Sequence, residues 1–194
     1  SGVVHMVGGV AGGVGAVLLG PRHGRFASDG APVPIKPHNL VLSTMGTVLL
    51  WFGWYGFNGF SVDASTGENA YVAGRVIINT TLGGTAGGAC AYAMHTLVHG
   101  VKDLQPTLNG VIAGLVSVTA SCASIEPWAA LLVGVIGACV AMAAEHAAIR
   151  AGVDDPLSTS AVHGAAGPRG GRAACWNSGY APPPCSAWSM PTSS

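Results

Sequence analysis

Charged side chains are scarce in this sequence, and their scarcity excludes an ordinary water-soluble domain. Asp, Glu, Lys and Arg make up 8% of the 194 residues, whereas soluble domains carry about a quarter. The eight basic and eight acidic residues cancel to a formal net charge of zero, so no net field attracts nucleic acid. The composition therefore predicts a protein whose surroundings are a lipid bilayer and which does not bind nucleic acid.

Metal-binding and phosphate-binding motifs are also missing. Three of the five cysteines, Cys90, Cys122 and Cys139, lie in apolar stretches without metal-binding spacing, which favours a role as small packing residues. The glycine runs "GGVAGGVGA" and "GGTAGGA" have neither a Walker lysine nor the strand context of a dinucleotide site. Small residues on successive turns instead let helices approach closely in lipid, so we expect these glycines to pack a helical bundle.

The chain contains five long stretches without a charged residue. They span residues 1–20, 39–62, 76–101, 104–125 and 127–144. A helix that crosses the roughly 30 Å hydrocarbon core needs about 20 apolar residues. Buried helices of a soluble domain would show charged outer faces, which these stretches lack. The sequence predicts an all-α polytopic membrane protein with five full transmembrane helices.

Basic residues are distributed unequally among the loops between these stretches. The first, third and fifth loops hold Arg22, Arg25, Lys36, Lys102 and Arg150, and the even-numbered loops hold only Arg75. The positive-inside rule places the odd loops in the cytoplasm. The stretch 54–61, at the exit of the second helix, then lies near the outer face.

Two histidines interrupt the apolar pattern in similar contexts. His5 lies in "GVVHMVGGVAGG" and His163 in "SAVHGAAGPRGG", on segments predicted to run in opposite directions. This similarity suggests an internal repeat. A polar ring at membrane depth indicates a functional site, although a hydrogen-bonded helix contact is the alternative.

An aromatic stretch, "WFGWYGFNGFS", closes the second predicted helix. Trp54 and Phe57 lie three residues apart on one helix face, and Ser61 follows one turn later. On the residues alone, an interfacial belt of aromatic side chains is the favoured interpretation. Trp51, Phe52 and Tyr55 fit that belt or general packing.

Further polar residues are interpreted as structural. Asn79 and Asn109 are placed to bond across helices. Asp154 and Asp155 precede Pro156, which is typical of a capped helix start with proline in the first turn.

Together these segments resemble the ammonium transporter family (Amt/MEP/Rh), and its Amt branch in particular. The matching motifs are "GVVHMVGGVAG", "LLWFGWYGFNGFS", "NTTLGGTAG", "LNGVIAGLVSVTASCASIEPWAAL" and "DDPLSTSAVHG", in family order. The resemblance implies an eleven-helix inverted-repeat fold, of which this chain holds the fifth to ninth helices and the start of the tenth. We therefore expect five full transmembrane helices plus the start of a sixth, with the first four helices of the family lacking.

The resemblance also divides the chain into two parts. Residues 1–167 form a partial ammonium transporter membrane domain, and residues 168–194 form a divergent tail. Arg169 and Arg172 are unsuited to lipid, and the triple proline 182–184 prevents a helix. We expect this tail to be disordered.

The resemblance further implies a function and a set of site residues. His5 and His163 match the twin histidines of a hydrophobic pore, which a dry environment keeps neutral and hydrogen-bonded to each other. Phe57 matches the outer aromatic gate, Trp54 a pore-lining tryptophan, and Ser61 a residue of the outer ammonium site. The implied activity is transport of ammonium or ammonia across a membrane, expected to be the plasma membrane. The resemblance implies no enzymatic chemistry and no cofactor or metal. It also implies that the protein assembles as a homotrimer.

Two alternatives to transport stay open. The chain is short for the family, so it is alternatively a transport-inactive truncated subunit or interaction protein that assembles with full-length transporters. The other alternative is an ammonium sensor that signals through a cytoplasmic tail. Co-purification with a full-length subunit separates the interaction hypothesis from a simple fragment.

Overall fold

The computed structural model describes residues 2–60 and 68–167 as five α-helices followed by a π-helical turn. In chain order these are α1 (Gly2–Leu19), α2 (Leu40–Gly59), α3 (Glu68–His99), α4 (Leu104–Thr119), α5 (Pro127–Arg150) and π1 (Ser160–Ala165). Within these ranges there is no β-strand, and the predicted all-α fold is confirmed. Ser61 and the predicted tail 168–194 lie outside the described residues.

Each predicted membrane segment corresponds to one helix, but two helices extend past charged residues. α3 includes Arg75, whose guanidinium is 2.9 Å from the Glu126 carboxylate, and α5 continues to Arg150. α4 is shorter than predicted, because residues 120–125 form turns. Among the described helices, α1, α2 and α5 are long and apolar enough to span a membrane.

Side-chain caps define where several of these elements begin. Asn39 accepts a hydrogen bond from the backbone N–H of Leu42, and Asp103 accepts one from Gln105. Such caps satisfy the unpaired N–H groups of a first helical turn.

The expected cap at residues 154–156 differs from the prediction. Pro156 lies in a turn ahead of π1 and is not in its first turn. Asp155 does act as a cap, since its Oδ2 accepts from the backbone N–H of Ser160 at 2.7 Å and from its hydroxyl at 2.6 Å. Asp154 turns the other way, toward Arg22.

Helices α3, α4 and α5 meet through glycines. The carbonyl oxygen of Gly83 on α3 occupies the space that a Cβ on Gly114 of α4 or Gly134 of α5 would need. A Cβ on Gly87 would lie 2.9 Å from the Cα of Gly114. This glycine seam, defined by Gly83, Gly87, Gly114 and Gly134, confirms that the glycines pack a bundle.

Buried amides connect α3 to its neighbours. Asn79 donates to the carbonyl oxygens of Cys122 at 2.9 Å and Ile125 at 2.8 Å, so it holds the turn between α4 and α5. Asn58 of α2 donates to the Thr80 hydroxyl at 3.0 Å. Each amide forms a hydrogen bond with a buried polar group for which lipid offers no partner.

Helix α1 packs mainly on π1, and the two run antiparallel. A Cβ on Gly9 would overlap the backbone of Gly164, and one on Gly12 would lie 3.3 Å from the Cβ of Thr159. Gly9 is the only described residue of α1 that is fully buried. The close approach of these two short segments therefore depends on glycine.

An ion-pair cluster, the Arg22–Asp154–Arg25 clamp, joins the loop after α1 to the loop before π1. Arg22 donates to Asp154 from Nε at 2.7 Å, from Nη2 at 2.8 Å and from its backbone N–H at 3.0 Å. Arg25 Nε donates from 3.2 Å. The Asp154 side chain is 2% exposed, and its hydrogen bonds from the Arg22 guanidinium hold the pKa of that carboxyl well below its usual range. The clamp thus holds the other end of the α1–π1 pair.

Candidate functional site

Four aromatic rings from three separate elements form a continuous column. His5 of α1 stacks on Trp54 of α2, with ring centroids 5.3 Å apart and planes 4° apart. On the other side His5 stacks on His163 of π1, also at 5.3 Å, with planes 13° apart. Phe57 lies beside this stack, 5.9 Å from His5 and 6.3 Å from Trp54. The structure therefore brings together four of the five predicted site residues, and Ser61 is not among the described residues.

The two histidines form a hydrogen bond through like atoms. Nδ1 of His5 lies 3.2 Å from Nδ1 of His163, and both rings are half-buried. Two neutral imidazoles can bond in this way only if one carries its proton on Nδ1 and the other on Nε2. The contact therefore requires opposite tautomers in the two rings.

The outer nitrogen of His5 has no hydrogen bond within the described part of the chain. Nε2 is buried and lacks a partner there. Unsatisfied polar atoms are uncommon inside proteins, where most have a protein or water partner. Nε2 of His5 can accept or donate one further hydrogen bond, depending on which tautomer the histidine pair adopts.

Trp54 is fixed in place by a helix other than its own. Its indole Nε1 donates to the Thr119 hydroxyl at 2.7 Å, and that hydroxyl donates to the carbonyl oxygen of Leu115. Trp54 is 8% exposed. The end of α4 therefore sets the plane of the indole on which His5 stacks.

Sequence reasoning did not find the partners that position this column. Thr119 bonds its own backbone, and nothing in the sequence marks its hydroxyl as the acceptor for Trp54. The Gly9–Gly164 approach was signalled only by a glycine run. The remaining aromatic residues of the stretch lie off the column. Trp51 packs on the core and Tyr55 bonds Thr81 at 2.9 Å, whereas Phe52 and Phe60 are 76% and 92% exposed.

The hydrogen bond of Trp54 predicts a difference between two tryptophans on the same helix. Trp54→Phe keeps an aromatic ring but removes the donor to Thr119, so we expect a loss of about 1 kcal/mol in the free energy of unfolding. Trp51→Phe is the matched control, because its Nε1 is buried without a partner among the described residues. Denaturant titration in detergent micelles measures both losses. Equal losses for the two variants would contradict this role of Thr119.

No group of three or more histidine, cysteine or carboxylate side chains is placed to hold a metal ion within residues 2–60 and 68–167. The ring column offers two imidazoles and aromatic faces to a passing molecule. Its chemistry is therefore hydrogen bonding, proton exchange and cation–π attraction.

Comparison with known proteins agrees with this architecture. A sequence profile described as the Ammonium Transporter Family matches residues 1–175. The tomato (Solanum lycopersicum) protein named Ammonium transporter 1 member 3 is 40% identical over 175 residues, covering 86% of this chain and 38% of that protein.

Solved structures extend the comparison to the fold. A structure described as a sensor Amt protein matches with a TM-score of 0.82 and 34% identity, covering 88% of this chain and 41% of the other. Saccharomyces cerevisiae Mep2 matches with a TM-score of 0.78 and 31% identity, covering 88% and 37%. The chain spans less than half the length of each of these proteins. It is a multi-pass membrane protein that belongs to the ammonium transporter family.

Proposed function

We propose that this chain moves ammonium or ammonia across a membrane, with the ring column as part of the path. The observation that carries the proposal is the unbroken contact from Phe57 and Trp54 through His5 to His163. The proposed order places the aromatic pair on the outer side and the histidine pair deeper in the membrane. The plasma membrane is the proposed location.

The outer end of the column suits recruitment of a cation. Aromatic faces attract a nearby cation by about 0.5–2 kcal/mol, and Phe57 is 44% exposed. In this proposal Ser61, four residues after Phe57 in the sequence, contributes a hydroxyl to the outer site.

The histidine pair suits a molecule that carries N–H bonds. Two neutral imidazoles joined through their Nδ1 atoms keep both Nε2 atoms for another partner. Ammonium and ammonia form directional hydrogen bonds with such nitrogens, whereas a potassium ion has no proton to donate. An apolar surrounding further disfavours a bare ion. The proposed selectivity thus depends on proton chemistry as well as on pore diameter.

Assembly is part of the proposal. The chain covers under half of the family members it matches, so in this proposal its helices supply only part of the wall of a path. We propose that it acts in a homotrimer or together with longer subunits of the family. The alternatives of a transport-inactive interaction protein and of an ammonium sensor predict different results in the same assay.

Growth on limiting ammonium tests the proposal. Cells that lack their own ammonium transporters would express the chain, its His163→Ala variant and a His146→Ala control, since His146 is exposed at the far end of α5. We expect the parent and the control to restore growth and His163→Ala to abolish it. Equal growth with His163→Ala would remove the histidine pair from the mechanism.

The same cells distinguish the alternatives. No growth from a parent chain that reaches the membrane would overturn transport by this chain. Co-purification with a full-length subunit, together with a lowered uptake by that subunit, would then favour the interaction protein. A transcriptional or growth response to ammonium without uptake would favour the sensor.

A further inference from the structure

Three sulfur atoms from α3 and α5 form a compact triangle. Cys90 Sγ lies 3.7 Å from Met94 Sδ and 3.7 Å from Cys139 Sγ, and Cys139 Sγ lies 3.5 Å from Met94 Sδ. Cys90 and Met94 are one turn apart on α3, which brings them to the same face. Cys139 reaches them from α5. We call these three residues the sulfur triangle.

The two cysteines of the sulfur triangle are not joined in a disulfide. Cys90 and Cys139 are both free thiols, and all three side chains are half-buried. The sequence hides the arrangement, because Cys139 follows Cys90 by 49 positions and methionine is not part of common metal-binding spacings. Neither the ring column nor the proposed transport path uses these residues.

The dimensions of the triangle match a metal ion bound by three sulfurs. A point equidistant from sulfurs at these separations lies about 2.1 Å from each, and metal–thiolate bonds such as those of zinc are about 2.3 Å. A small outward shift of the side chains therefore forms such bonds. Thiolate and thioether ligands select soft cations, Cu(I) above all. Zinc is disfavoured, because it takes four ligands in structural sites and a thioether is a poor one for it.

We propose that the sulfur triangle is a binding site for a soft monovalent cation of the Cu(I) class. A cysteine binds a metal as a thiolate, so at least one thiol proton is released to solvent for each ion bound. One thiolate balances the charge of one monovalent cation, which suits a half-buried position among apolar helices. The metal does not change oxidation state. The bound ion joins α3 to α5.

Binding of Ag(I), a redox-inert probe of this class, tests the site directly. The full chain is purified in detergent with Cys175→Ser and Cys185→Ser, so that the cysteines of the tail do not contribute. Ag(I) affinity is measured by competition with a chromophoric chelator, and released protons are measured in weakly buffered solution. We expect one ion per chain, at least one proton released, and binding that strengthens as the pH rises.

Three variants and a control decide the outcome. Cys90→Ser and Cys139→Ser should each weaken binding by more than about a hundredfold, and Met94→Leu by about tenfold, since removal even of outer-shell partners costs roughly 10–100-fold. Cys122→Ser is the control, because Cys122 is buried elsewhere, with its thiol donating to the carbonyl oxygen of Thr119. Unchanged affinity in Cys139→Ser, or an equal loss in Cys122→Ser, would overturn the proposal.

A second readout does not depend on purification. In membrane vesicles, Ag(I) should protect Cys90 and Cys139 from alkylation by a small maleimide and leave the labelling of Cys122 unchanged. Protection that is the same in the Met94→Leu variant at limiting Ag(I) would also contradict a three-sulfur site. Neither measurement requires transport activity, so failure of the site and failure of the proposed function are distinguishable.

Discussion

Replacing Gly9 by alanine should separate the two elements that carry the histidines. The added Cβ would overlap the backbone of Gly164, which belongs to π1. Backbone cannot move aside as a flexible side chain can, so we expect the upper end of the usual overpacking loss, about 3 kcal/mol. Because His5 is one turn from Gly9, the hydrogen bond between the histidines should be lost as well. If the proposed function is correct, ammonium-dependent growth is lost with it.

A disulfide between α1 and the start of π1 measures this separation without a transport assay. The Cβ position at Gly12 lies 3.3 Å from the Cβ of Thr159, close to the roughly 3.5–4.5 Å of disulfides. A chain with Gly12→Cys and Thr159→Cys, and with its native cysteines replaced by serine, should oxidise readily. Adding Gly9→Ala should slow oxidation by at least about tenfold. A tenfold lower rate corresponds to a free-energy cost of roughly 1.4 kcal/mol for the state in which the two cysteines are close enough to react.

Gly8→Ala is the matched control for this experiment. Gly8 is adjacent in sequence, but a Cβ at that position meets no atom of the described residues within 4 Å. The control should oxidise as fast as the parent, or faster if alanine favours the helix. Similar slowing by both alanines would show that helix propensity or expression, and not the contact with Gly164, is responsible.

The second large effect is expected at the Arg22–Asp154–Arg25 clamp. Asp154→Asn keeps the shape of the side chain but leaves Arg22 and Arg25 without their carboxylate. Breaking a buried ion pair costs about 3–5 kcal/mol. The Arg22 side chain is 43% exposed, and solvent screening reduces this loss, so we expect about 2 kcal/mol. Unfolding in detergent micelles measures the change.

The pH dependence of that loss follows from the lowered pKa of Asp154. A carboxyl whose folded pKa lies below its unfolded value of about 3.9 contributes stability that is complete above that unfolded value. This stability is lost as the pH falls through the folded pKa. The difference between parent and Asp154→Asn should therefore be constant from about pH 8 to pH 5 and shrink below about pH 4.

Asp29→Asn controls for the loss of one acidic residue, since Asp29 lies in the loop after α1 that also holds Arg22 and Arg25. Asp29 is exposed and accepts only a local hydrogen bond from the backbone N–H of Ala31. Its replacement should change stability by less than about 0.5 kcal/mol, as is usual at surface positions. A loss in Asp29→Asn as large as in Asp154→Asn would assign the effect to net charge instead of to the clamp.

The number and order of the helices were predictable from the sequence for a simple physical reason. Lipid excludes unpaired charge, so the stretches without charged residues indicated which helices cross the bilayer. The same criterion placed the start of α3 too late, because Arg75 lies within the helix and is paired with Glu126. It also placed the end of α4 too late, since the turns at 120–125 carry no charge, and Asn79 binds their carbonyl oxygens.

The sequence singled out the residues whose rings form the column, but not the residues that position them. His5 and His163 stood out because imidazoles are rare in apolar segments. Trp54 and Phe57 were singled out by the resemblance to the family, since the aromatic stretch alone favoured an interfacial belt. Their supports, such as the Thr119 hydroxyl, involve residues that any membrane helix contains. A threonine that bonds its own backbone looks the same in sequence whether or not an indole donates to it.

The glycine seam has a consequence for the entropy of helix association. Lipid tails are as apolar as leucine, so helices in a bilayer gain little from the hydrophobic effect when they meet. They associate through dispersion and polar contacts, and long side chains lose up to about 2 kcal/mol of rotamer freedom when buried. At Gly83, Gly114 and Gly134 backbone meets backbone, where no rotamer exists to be restricted. At these positions the contact energy of α3, α4 and α5 is therefore not offset by lost side-chain freedom, which favours their association.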